Sequence, residues 1–207
     1  MRTIIVIAKE PIAGRVKTRL VPPLTYEQAA AVAGAALADT LATAGDVTAR
    51  ERMLTFAGDA SAWLPPGWRC VAQPEGGLDE RLAAAFDAVA PGPAVLVGMD
   101  TPQFRAAQVD AFDPGQFDAC LGMAADGGYW AIGFADSCFA AAAILGVPMS
   151  TGFTGVEQLH RMRALGLRVQ LLDVLTDVDT VESAEHVASL APASRFAIAL
   201  AHTRVGA

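Results

Sequence analysis

The stretch Ala94 to Pro102, AVLVGMDTP, constrains the chain more than any other. It is apolar without polar alternation, and Pro93 and Pro102 close its two ends. A short run of β-formers of this kind reads as a strand buried on both faces, and such strands sit inside parallel sheets covered by helices. The run stops at Asp100. Ligands of open α/β sheets collect beyond the carboxyl ends of the strands, so a carboxylate there is a candidate for metal or phosphate chemistry. The plainer alternative is an aspartate that caps the following turn.

The flanking segments fit such a sheet. Thr3 to Ala8 is a β-branched run that reads as the first buried strand, followed by the polar loop KEPIAGRVKTRLVPPL. Thr25 with Gln28 forms a capping-box signal for a long Ala-rich helix to about Gly45. Strands are expected over Met53–Ala57 and Trp68–Gln73, and a helix over Leu78–Ala90 with Leu82, Phe86 and Val89 at helical spacing. Gln103 to Phe112 is expected to be helical. Asp118–Ala124 and Tyr129–Phe134 read as strands joined by a DGG turn, an antiparallel excursion. Thr154 and Glu157 predict a second capping box for a helix ending before Gly166, with a last strand over Leu167–Asp173 and a helical tail from Val181 onward. Alternating strands and helices predict an α/β protein, a three-layer α/β/α sandwich on a mostly parallel sheet. At 207 residues with no linker-like segment, residues 1–207 are expected to form one domain.

Composition narrows the partners. A net charge of −7 disfavours nucleic acid. Ile4 to Ala8 is too short for a signal-peptide core and Ala29 to Ala38 too short to span a bilayer, so no membrane association is expected. Cys70, Cys120 and Cys138 are odd in number and widely spaced in apolar surroundings, which predicts reduced core thiols and a cytoplasmic protein.

Against that negative balance, Lys9, Arg15, Lys17 and Arg19 cluster around Gly14 in the loop after the first strand. Lys9 and Lys17 are the only lysines in the chain. Compact ammonium groups beside a glycine suit a phosphate cradle, although Val16 breaks the Walker A pattern and there is no GxGxxG. A solvated basic loop is the alternative. Asp126, Gly127 and Gly128 form a tight turn whose glycines let backbone approach a ligand, or simply close a hairpin. LLDVLTDVDT offers Asp173, Asp177 and Asp179 before a helix, and Asp179 with Glu182 also fits a helix cap. Two aspartates from distant strand ends suffice for Mg²⁺, which completes its shell with water and substrate phosphates.

The segments AKEPIAGRVKTRL, QPEGGLDERL, VLVGMDTP, MAADGGYWAIGF and DVLTDVDTVE, in this order, resemble an uncharacterised bacterial family (DUF2064-type) of GT-A type glycosyltransferase-like proteins. That family is similar to 2-phospho-lactate guanylyltransferases and, more remotely, to molybdenum cofactor guanylyltransferases. The likeness runs from Ile4 to about Glu185. It implies that the loop with Gly14, Arg15, Lys17 and Arg19 binds nucleotide phosphates and that Gln73 lies near the base. It also implies that Asp100 and Asp179 hold the metal while Asp126, Gly127 and Gly128 shape the acceptor side. The chain departs from the family pattern at Gly77 and Asp79, at Met149 and in VESAEHV.

The reaction expected is Mg²⁺-dependent nucleotidyl transfer, with Mn²⁺ as the alternative ion. A small phosphorylated or acidic acceptor attacks the α-phosphorus of a nucleoside triphosphate and pyrophosphate leaves. Arg15 and Lys17 neutralise the leaving group, Lys9 and Arg19 steer it, and Asp100 and Asp179 fix the ion. Such chemistry asks mainly for alignment and charge neutralisation. Glycosyl transfer from a nucleotide sugar is the enzymatic alternative, although Pro102 stands where a DxD motif would place its second aspartate. A non-catalytic nucleotide-binding protein is the third reading.

Overall fold

The structure, a computed structural model, describes residues 1–203. Its centre is β1 (Arg2–Lys9), in which Ile4, Ile5 and Val6 are fully buried. Side chains alternate across a strand. Accordingly Ile4, Val6 and Ala8 join the core beneath one helical layer, while Ile5 joins the core on the opposite face. β2 (Ala49–Ala57) and β4 (Ala94–Gly98) pair with β1 in parallel, and β3 (Arg69–Ala72) extends the sheet beyond β2. β6 (Tyr129–Phe134) runs antiparallel between β4 and β5 (Ala119–Ala124), and β7 (Val169–Leu175) closes the far edge parallel to β5. The order β3-β2-β1-β4-β6-β5-β7 brings the carboxyl ends of every strand except β6 to one rim.

α1 (Tyr26–Asp46) uses two faces: Leu37, Leu41 and Ala44 pack on the sheet, whereas Ala29, Val32 and Ala36 pack on α6 (Val181–Leu190) and α7 (Arg195–Thr203). The Thr25 box is formed, with Gln28 N–H donating to Thr25 Oγ1 at 3.2 Å and Thr25 N–H to Gln28 Oε1 at 2.8 Å. The short α3 (Ala106–Asp110) shares the α1 face. α2 (Leu78–Asp87), α4 (Ala140–Ile144) and α5 (Thr154–Ala164) cover the other face, completing the three layers expected from the sequence.

Several local expectations need correction. Thr154 is the first helical residue rather than a cap; its Oγ1 accepts from Thr151 N–H and donates to Pro148 C=O, bracing the preceding loop. The tail is broken over 191–194, where Asp39 of α1 accepts Phe196 N–H at 2.8 Å and caps α7; its last residues, 204–207, lie outside those described. Only Cys120 is a core thiol, for Cys70 and Cys138 are exposed. Among the described residues no helix is long and apolar enough to cross a membrane.

Candidate active site

The cationic loop is pinned to the rim by its apolar members. Val16 is 2% exposed and Leu20 fully buried, Leu20 joining Val178 in the cluster under α6 and α7. Held between them, Lys17 takes a left-handed backbone (φ 47°), uncommon for a side chain with a Cβ and a mark of sites where the surroundings dictate conformation. Its ammonium points inward, contacts the Val178 carbonyl and lies 2.5 Å from Asp100 Oδ1; the Lys17 side chain is 9% exposed. Val178 N–H donates to the Asp100 carbonyl at 2.8 Å, so the chain leaving β7 is sewn to the chain leaving β4. Asp179 follows on this seam and pairs with Arg19 Nη1.

Two adjoining chambers result. The smaller, about 200 Å³, is lined by Arg15, Lys17 and Thr18 from the loop; the larger, about 750 Å³, runs across the rim past Gln73 and Arg81 to Asp126, Gly128, Tyr129 and the 149–152 segment. Lys9, Arg19, Met99, Asp100 and Asp179 line both and form their shared border. The structure thus brings Lys9, Arg15, Lys17, Arg19, Asp100 and Asp179 together around one small volume.

The remaining expected residues occupy more distant positions. Gln73 lines the larger chamber with its amide fixed: Nε2 donates to the Ala8 and Thr55 carbonyls at 2.7 and 3.1 Å, and Oε1 accepts from Arg81. Asp126 also lines it, while accepting Gly128 N–H at 2.8 Å in a local turn. Gly14 and Gly127 line neither chamber. Gly127 (φ 92°) is instead a packing glycine: a Cβ there would lie 1.9 Å from the Gly152 carbonyl oxygen, and its own carbonyl accepts Gly155 N–H. Asp173 is structural, its carboxylate taking Gln108 Nε2–H and its carbonyl taking Trp130 Nε1–H.

Three contributors, Arg81, Ser150 and Thr151, carry little sequence signal. Arg81 reaches the larger chamber because it falls one helical turn after Leu78. Ser150, left-handed at φ 59°, and Thr151 line its opposite wall. Asp177 lines it too, and burial, then the negative charge of Asp126, holds its carboxyl above the ordinary range. Burial likewise raises the Tyr129 phenol.

Asp100 and Asp179 offer hard oxygen donors of the kind a divalent cation takes, and each at present holds a cationic nitrogen in that place. Among the described residues no three His, Cys, Asp or Glu side chains form a ready cage. An ion held there would take the rest of its shell from water and phosphate oxygens, as Mg²⁺ ordinarily does.

Residues 28–151 match the family model described as an uncharacterized protein conserved in bacteria, DUF2064. None of the curated proteins matches. A candidate nucleotide-diphospho-sugar transferase of Desulfovibrio desulfuricans is 28% identical with a TM-score of 0.86, covering 99% of this chain and 96% of its own. A Mycobacterium tuberculosis protein solved with manganese is 24% identical with a TM-score of 0.54, over 90% of this chain and 98% of its own. A CMP:2-keto-3-deoxy-manno-octonic acid synthetase solved with CTP is 14% identical with a TM-score of 0.56, over 92% of this chain and 98% of its own. The seven-stranded sheet and its helical layers are therefore those of the nucleotide-diphospho-sugar transferase fold.

Proposed function

The chain belongs to the bacterial DUF2064 family, and we propose that it is a divalent-cation-dependent nucleotidyltransferase acting on a small phosphorylated or acidic acceptor. One observation supports this above the others: four loop cations and two strand-end aspartates border the same small chamber, with Lys17 in direct contact with Asp100. A polyphosphate needs such a cationic lining, and the larger chamber leaves room for a nucleoside and an acceptor side by side. Relatives of the same fold solved with CTP and with manganese are consistent with that division.

In this reading the acceptor oxygen forms a bond to the α-phosphorus, the bond from that phosphorus to the β-bridging oxygen breaks, and pyrophosphate carries the electron pair away. Lys17 and Arg15 neutralise the departing oxygens, with Lys9 and Arg19 orienting them. Asp100 and Asp179 would hold Mg²⁺ or Mn²⁺, whose chemistry is to neutralise phosphate charge as it moves. Gln73, with its amide locked, presents its Oε1 and the neighbouring Arg81 to the nucleoside side. Asp126 and Gly128 border the acceptor side. A phosphate or carboxylate acceptor needs no base, so His160, His186 and His202 take no part.

A nucleotide-sugar donor is the second reading, favoured by the description of the Desulfovibrio desulfuricans relative. A thermal-shift screen of nucleoside triphosphates and nucleotide sugars with Mg²⁺ separates the two, since a ligand of the native state raises its melting temperature. GTP stands first because of the guanylyltransferase resemblance. Stabilisation by a triphosphate together with pyrophosphate release on adding acceptors is the expected result; response to nucleotide sugars alone overturns it in favour of glycosyl transfer, and binding without release of either product leaves a nucleotide-binding protein.

A further inference from the structure

Both carboxylates assigned to the cation already hold positive charge, and that charge comes from the loop assigned to the phosphates. Lys17 contacts Asp100 and the Val178 carbonyl with its side chain 9% exposed, while Arg19 contacts Asp179 with its side chain 74% exposed. We infer that the site is an ion-pair exchange device, in which a divalent cation and a polyphosphate enter together because each releases the partner that the other needs. The inference rests on the functional reading above and adds its regulation.

The argument is one of charge and access. A cation approaching Asp100 alone meets an ammonium 2.5 Å from the carboxylate oxygen. Displacing that ammonium leaves the Val178 carbonyl as its one remaining partner. A polyphosphate arriving alone meets Lys17 and Arg19 already paired, with two carboxylates of its own sign beside them, and only Lys9 and Arg15 without an ion pair among the four loop cations. When both arrive, the carboxylates pass to the metal and the ammonium and guanidinium pass to phosphate, so no charge is left without a partner. Burial makes Lys17 the stronger member, because the pair made by exposed Arg19 is screened by solvent. The exchange needs no movement of the loop: Val16 and Leu20 stay buried on either side, and the Lys17 side chain alone can turn from Asp100 to the chamber it lines. Such coupling is reciprocal, each ligand tightening the other by one factor.

The test uses the whole protein with Mn²⁺ and inorganic tripolyphosphate. Mn²⁺ alone is read by the paramagnetic resonance of the free ion, and binding with the anion present by equilibrium dialysis against a protein-free control, because tripolyphosphate itself chelates Mn²⁺. Mn²⁺ alone is expected to bind Lys17→Met at least about tenfold more tightly than wild type, and tripolyphosphate to bind wild type at least about tenfold more tightly with Mn²⁺ than without it, within the usual range of coupling between sites. Lys17→Gln, which keeps a donor for the Val178 carbonyl, should repeat the gain and guards against a folding defect in the methionine variant. Equal or weaker Mn²⁺ binding in both variants overturns the exchange, yet leaves nucleotidyl transfer to be judged by pyrophosphate release. Absence of Mn²⁺ binding to all three proteins, with and without tripolyphosphate, overturns the exchange and the metal assignment together.

Discussion

Lys17 Nζ lies 2.5 Å from Asp100 Oδ1, joining the loop after β1 to the carboxylate that follows β4. The contact spans three crossovers of the chain and exists because β1 and β4 are parallel neighbours whose carboxyl ends share a rim. It ties the proposed phosphate and cation sites into one unit.

Asp100→Asn should reduce cation-dependent turnover by at least about 10²-fold, the scale on which removing one transition-state electrostatic contact acts. Asp100 is half exposed, so the lost pair should cost only about 1 kcal/mol of stability. Kinetics and urea denaturation on the same preparation check both; full activity in the variant removes the central assignment.

Lys17→Ala should weaken triphosphate binding about 10- to 100-fold, the loss expected for one or two charge-assisted hydrogen bonds. Monophosphate binding should change less than about threefold, because the proposed role of the lysine is toward the distal phosphates. Calorimetric titration of both nucleotides decides, and equal losses would make the lysine structural.

Gly127→Ala and Gly14→Ala should differ sharply although both glycines have positive φ, 92° and 77°. At Gly14 a Cβ meets nothing within 4 Å, so only the left-handed backbone costs, about 1 kcal/mol. At Gly127 the Cβ would sit 1.9 Å from a carbonyl oxygen, and the 150–155 segment must shift; about 3 kcal/mol or more is expected. Chemical denaturation of the two variants makes the comparison.

Acid should weaken the fold partly through Asp118. Hydrogen bonds from the Arg168 side chain, and then its backbone N–H, hold the Asp118 carboxyl at about 2 against an ordinary 3.8. A depressed carboxyl contributes stability that is complete above the ordinary value and disappears as pH falls from about 3.8 towards 2. Asp118→Asn should flatten the stability curve in that window while costing less than about 1 kcal/mol at neutral pH, since the pair is solvent-exposed. Denaturation midpoints from pH 7 to pH 2 test it; an unchanged acid slope would discount the pair.

What could be read along the chain is what local physics encodes. The β-branched run from Thr3, the unalternating Ala94–Gly98 strand, the Thr25 box and the hairpin around the DGG turn all leave periodicity or cap residues in the sequence, and all appear at nearly the expected places. The cationic loop was legible because its lysines are the only two in the chain. Thr154 misled because its hydroxyl serves the preceding loop, a choice made by packing rather than propensity. Arg81 and Ser150 left no trace because helix phase and a left-handed backbone become meaningful only once a cavity lies beside them.

The sequence by itself therefore determined the layered architecture and supplied the charges, since hydrophobic period and residue chemistry are properties of neighbours in the chain. Only the tertiary structure decided which charges meet. Insertion of β6 between β4 and β5, and burial of Leu20 against Val178, bring Lys17, Asp100 and Asp179 from distant segments to one border. Coulomb interactions depend on distance in space, and no spacing along the chain records it.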